Sequence, residues 1–145
     1  MRFMMLMIPQ VYQGGADADF RPDPEAIATM TAYNVRLGEA GVLVALEGLH
    51  PPSNGARVSF RNKTPVVTDG PFTETREVLG GYWVIDVKDR AEAIEWARRI
   101  PANEGDIVEV RQIFDAADFS DEVKQAVQDA GGGIHKNPDL RTRQT

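Results

Sequence analysis

Residues 79–87, Leu-Gly-Gly-Tyr-Trp-Val-Ile-Asp-Val, constrain this chain more than any other stretch. They read as one long strand, in which successive side chains point to opposite faces. Tyr82 and Val84 then face one way, and Trp83, Ile85 and Val87 the other. Both faces are apolar, so both need a cover.

The rest of the chain supplies a cover for one face only. Residues 3–8 are uniformly apolar, which suits a strand buried on both sides. The run is too short for a targeting or spanning segment, lacks a small-residue cleavage site and ends at Pro9. Asp23-Pro24-Glu25 opens a helix, with Asp23 as cap, Pro24 at the first helical position and Glu25 at the positive end of the dipole. Ile27, Met30, Tyr33, Leu37 and Ala40 form its apolar stripe and Gly41 ends it. A second strand follows over 42–46. The runs 57–60 and 65–68 flank Arg61-Asn62-Lys63-Thr64 as a hairpin. After the long strand, Asp89 caps a second helix with Glu92 three residues on. Ile94, Ala97 and Ile100 make its stripe, Pro101 stops it, and 107–114 is the last strand.

The order predicts an α+β, ferredoxin-like β-α-β-(β-hairpin)-β-α-β sheet with both helices on one face. The economical cover for the other face is a second copy of the chain, packed sheet to sheet about a two-fold axis. Residues 1–115 read as this domain and 116–145 as an extension. In the extension, Val123, Ala126, Val127 and Ala130 share one side of a short helix, followed by Gly131-Gly132-Gly133 and a polar tail.

Composition narrows the function classes. A net charge of −6, with lysines and arginines scattered, argues against nucleic acid as a partner. The absence of cysteine removes thiol nucleophiles and thiolate metal sites, and suits a cytoplasmic setting. No glycine-rich phosphate loop and no Gly-x-Ser-x-Gly elbow is present, and the chain has two histidines. Neither cofactor nor metal is expected, and no membrane segment.

Candidate chemistry gathers around the hairpin, where Glu47, His50, Arg57, Asp69, Glu74 and Glu77 lie near strand ends or turns. His50 is the histidine outside the tail and reads either as a general acid or base, or as a ring packed on Pro51-Pro52 and bonded to backbone. Asp69 begins the turn Asp69-Gly70-Pro71-Phe72. One reading is structural: the carboxylate accepts backbone amides, Gly70 permits unusual dihedrals and Pro71 fixes the exit. The other has Asp69 facing a pocket as a base or as the group orienting His50, with Phe72 as an apolar wall. Glu109 and Arg111, two apart on the last strand, share a face. They form an ion pair or line a dimer-facing cavity, where Arg111 and Tyr82 would position a ligand.

Residues 69–77, Asp-Gly-Pro-Phe-Thr-Glu-Thr-Arg-Glu, resemble the signature of the DGPF-domain proteins, part of the YCII-related family. Leu49-His50-Pro51-Pro52, Leu79-Gly80-Gly81-Tyr82, residues 92–97 and Val108-Glu109-Val110-Arg111 carry the resemblance onward to Phe114. It implies a dimeric α/β barrel of ferredoxin-like subunits, and a regulatory or stress context linked to alternative sigma factors of the extracytoplasmic-function type. Some YCII-related relatives look like small-molecule lyases with a histidine–aspartate pair, the histidine on the first helix. Here that helix has no histidine, and Met30 falls near the expected place. The functions to separate are a small-molecule sensor or binding module and a lyase or isomerase using Asp69 and His50. Fold analogy adds cofactor-free oxygen chemistry as a third.

Overall fold

The computed structural model describes residues 1–13, 20–72 and 77–132. Glu74, Arg76 and the tail from 133 lie outside the described residues. Six strands and three helices follow in the order β1 (Arg2–Ile8), α1 (Pro24–Glu39), β2 (Leu43–Gly48), β3 (Ala56–Arg61), β4 (Thr64–Asp69), β5 (Gly81–Asp86), α2 (Arg90–Ala97), β6 (Ile107–Gln112) and α3 (Asp121–Asp129). β2, β5, β1 and β6 form one antiparallel sheet in that spatial order, while β3 and β4 form a two-stranded sheet of their own. This is the ferredoxin-like arrangement with a hairpin inserted between its halves.

The helices form where the sequence signals place them. The Asp23 carboxylate accepts from the Ala26 amide at 3.0 Å, closing the first turn of α1. At the other end Gly41 adopts φ +71°, and the Val42 amide reaches back to the Leu37 carbonyl at 3.2 Å. That six-to-one closure needs a left-handed residue, which glycine supplies without steric cost. The Asp89 carboxylate caps α2 by accepting from the Glu92 amide, and the Glu92 carboxylate in turn accepts from the Lys88 amide.

Strand parity sets the core. Phe3, Met5 and Met7 of β1 and Trp83 and Ile85 of β5 are buried on the helix side, against Tyr33 and Leu37 of α1 and Ala93 of α2. Tyr33 and Trp83 meet edge to face with centroids 6.0 Å apart. The Tyr33 hydroxyl donates to the Trp96 carbonyl at 2.9 Å, and the Trp83 indole donates to Asn34 Oδ1 at 2.8 Å. Each ring therefore fills the core while its polar atom is satisfied. The register puts Met4, Leu6, Tyr82 and Val84 on the other face, where they are only partly covered.

Three readings shift. Ile27 is 52% exposed and stays out of the core, although it continues the α1 stripe. In α2 the fully buried position is Ala93, with Ile94 half-buried. That helix also ends at Ala97, before Pro101, and Ile100 enters the core from the following turn.

Burial pushes the Tyr33 phenol up to about 12. The folded state then holds a proton that the unfolded chain releases near pH 10, so this contribution to stability is whole below pH 10 and lost as pH rises toward 12. Alkaline denaturation should show wild-type stability falling across that window, and Tyr33→Phe should flatten part of the decline. The same variant should cost on the order of 1 kcal/mol at neutral pH for the lost hydrogen bond.

Candidate functional site

The described residues enclose a cavity of about 760 Å³ at the end of the sheet where β1 finishes and β5 begins. That volume lies within the usual range for small-molecule sites. Four segments build it. Pro9, Val11 and Tyr12 come from the turn that follows β1, and Phe20, Arg21, Ile27 and Met30 from α1 and its approach. Leu49, His50, Pro51 and Asn54 come from the loop after β2, and Pro101, Asn103 and Asp106 from the loop before β6.

Each segment is fixed by an identifiable contact. The Tyr12 hydroxyl donates to the Leu49 carbonyl at 2.9 Å, joining the first wall to the third. Burial pushes this phenol up, so it remains a donor through the neutral range. Phe20 packs edge-on against Tyr12 with centroids 5.4 Å apart. Asp106 takes the Gln10 amide on one carboxylate oxygen and the Asn103 amide on the other, both at 2.8 Å, tying the last loop to the first. Gly80 lies so close to Pro9 that a β-carbon would fall 2.5 Å from the proline ring, which keeps the floor of the cavity thin.

The walls are mostly apolar, and a few polar groups reach in. The His50 side chain is exposed to the cavity and makes no hydrogen bond or ion pair among the described residues. Its ring is therefore not bonded to backbone as one reading had it. The Arg21 guanidinium donates to the Phe20 carbonyl at 3.2 Å, which leaves most of its donors for solvent or a ligand.

The other residues singled out from sequence lie elsewhere. Asp69 ends β4 opposite Ala56 and does not line the cavity. No hydrogen bond joins its carboxylate to His50 or to a backbone amide among the described residues. Gly70 works by close approach, not by unusual dihedrals: its amide donates to the Gly55 carbonyl at 2.8 Å, and a β-carbon would lie 1.9 Å from the Pro52 carbonyl oxygen. The turn thus clamps the base of the hairpin against the 52–54 turn. Phe72 carries the Arg57 guanidinium 3.9 Å above its ring. Tyr82, Glu109 and Arg111 share the sheet face turned away from the helices, since Leu6 pairs with Tyr82 and Glu109, and Met4 with Arg111. Both charged residues are exposed there, and they form no ion pair with each other.

Of the candidate residues, then, the structure brings His50 to the cavity and sets Asp69 and Phe72 at the hairpin base. Sequence reasoning passed over Tyr12, Phe20 and Arg21, which sit in a polar stretch without periodicity. Ile27 and Met30 did carry a signal. The apolar stripe of α1 runs beyond Tyr33 and Leu37 to Met30, which packs on the core edge, and on to Ile27, which stays exposed.

Comparison with known proteins agrees with this architecture. The model of the YCII-related domain matches residues 1–117. The chain belongs to the YCII-related family. It is also 33% identical over 76 residues to an uncharacterised protein of Rhizobium meliloti (strain 1021), a stretch covering 52% of this chain and 61% of that protein. Among the described residues no helix is long and apolar enough to cross a membrane, and no group of three or more histidines, cysteines or carboxylates is placed to hold a metal ion.

The glycine at the hairpin base is testable in isolation. Gly70→Ala should destabilise the fold by about 1–3 kcal/mol, because the methyl meets backbone that cannot rotate away. Urea denaturation would measure it, and a neutral result would show that the clamp against Pro52 is dispensable.

Proposed function

We propose that this YCII-related protein is a small-molecule-binding protein that works as a two-fold dimer. The cavity beside His50 carries the reading. It is of ligand size, it is walled by Tyr12, Phe20, Ile27 and Met30, and its polar groups converge from Arg21, His50 and Asn54. A ligand with an apolar body and one anionic or hydrogen-bonding end fits that distribution. The dimer draws support from the sheet face bearing Met4, Leu6, Tyr82 and Val84, which the chain itself only partly covers. A regulatory setting linked to a sigma factor, as the family resemblance implies, suits a protein that senses a metabolite.

The second reading is acid–base catalysis on the bound molecule, of lyase or isomerase type. The unpartnered His50 imidazole at the cavity wall favours it. The position of Asp69 outside the cavity weighs toward binding, because a base must reach the proton it removes.

A fluorescent aromatic sulfonate such as anilinonaphthalene sulfonate tests the cavity. It should bind the wild-type protein at one site per chain, and Ile27→Trp should weaken binding by narrowing the space while leaving the melting transition in place. A metabolite screen by thermal shift then finds natural ligands, since a ligand at a hundred times its Kd adds about 2.7 kcal/mol of stability. Hits that stabilise without turnover support the sensor. Turnover that His50→Ala or Asp69→Asn removes supports the enzyme. Light scattering should give twice the chain mass, and Val84→Glu should give the monomer.

A further inference from the structure

The hairpin formed by β3 and β4 is the least covered element of the fold. Every residue of both strands is exposed. Cross-strand pairing sets Val58 opposite Val67 and Phe60 opposite Pro65, so one face is an apolar strip. Phe60 is 75% exposed, Val67 67% and Val58 53%. A two-stranded hairpin standing alone in water is marginal, and such a strip calls for a cover. The turn at its tip, with Asn62 and Lys63 at φ 49° and 64°, is the tight type that holds two strands in register.

A second uncovered surface lies beyond β6. Phe114 is 71% exposed and packs on Phe119 with centroids 5.3 Å apart. Val123 of α3 is 43% exposed. The two surfaces carry opposite charge. The hairpin holds Arg57, Arg61 and Lys63 against Asp69, whereas the other segment holds Asp115, Asp118, Asp121, Glu122 and Asp129 against Lys124. Arg57 is occupied by the Phe72 ring, so Arg61 and Lys63 at the tip are the cations that matter.

The topology separates these surfaces within one chain. The hairpin leaves the sheet after Gly48, level with Met7 and Val108, on the β2 edge. The acidic segment leaves after Gln112, level with Phe3, on the β6 edge. The exits lie at diagonally opposite corners of the sheet, roughly 14 Å apart across three strand spacings and about 13 Å along four residue steps. A two-fold axis running between two stacked sheets, along the other diagonal, exchanges those corners. It lays the hairpin of each chain over the acidic segment of its partner.

We propose that the β3–β4 hairpin docks onto the Phe114–α3 segment of a second copy, with Phe60 and Val67 against Phe114 and Val123 and with Arg61 and Lys63 facing the acidic side of α3. This rests on the two-fold dimer above. The chain contains no cysteine, so single thiols report contact cleanly. Mixing Val67→Cys with Val123→Cys under mild oxidation should yield a disulfide heterodimer. Docking sets a millimolar effective concentration, so the reaction should run at least about tenfold faster than the control pair of Val67→Cys with Arg98→Cys. Raised salt should slow it, because the charges that guide docking are exposed. Phe60→Ser in the Val67→Cys chain should slow it several-fold with the melting transition retained.

Three results would overturn the proposal. A dimer by light scattering whose thiols react no faster than the control removes the docking and leaves the dimer standing. A Val67→Cys/Val123→Cys double variant that closes within a single chain assigns the hairpin to its own segment. A wild-type protein that is monomeric at every concentration removes both this contact and the dimer on which it rests.

Discussion

The pairing of β1 with β5 at the centre of the sheet is the constraint on which the rest depends. These strands bring Phe3 and Met5 beside Trp83 and Ile85, and α1 and α2 both cover that one face of the layer. The perpendicular contact of Tyr33 with Trp83 holds α1 down, and the bond from Tyr33 to the Trp96 carbonyl joins α1 to α2. With both helices committed to one side, the alternate residues of the same strands must look outward. The open face follows from the covered one.

The cavity arises at the edge of that arrangement. At the start of α1, Ile27 and Met30 line the space, Ile27 largely exposed and Met30 also packed on the edge of the core. Loops close the space, held by Tyr12 on Leu49 and by Asp106 on two backbone amides. The conspicuous Asp69-Gly70-Pro71-Phe72 turn stands beside it as masonry. Gly70 is required by its approach to Pro52, and the carboxylate of Asp69 enters no bond among the described residues.

Much of the fold was legible because its signals are local. Asp23 and Asp89 as caps, Gly41 as a stop, and the alternation of residues 82–87 each act within a few positions, and each element formed where they indicated. The strand order follows from two β-α-β units and their handedness. The site was legible only in part. His50 reaches the cavity, but the wall it shares with Tyr12, Phe20 and Asn103 is assembled from four loops distant in the chain, and no spacing encodes such a meeting. Ile94 was misplaced for a related reason. Helix periodicity marks a stripe but not which of its neighbours turns fully inward, and here that position is Ala93.

The alternation along β1 has a consequence for how such a protein can diversify. Met7 belongs to the cavity, while Leu6, its neighbour, belongs to the opposite face. Two surfaces with different demands are thus written in interleaved letters on one strand, and a substitution in one set leaves the other intact. Under the proposed function, ligand preference and assembly drift separately through point changes. An insertion or deletion within the strand would exchange the two sets at once, because a single-residue slip turns every side chain over. Descendants of this fold are free to reword either text, provided they keep its spelling in step.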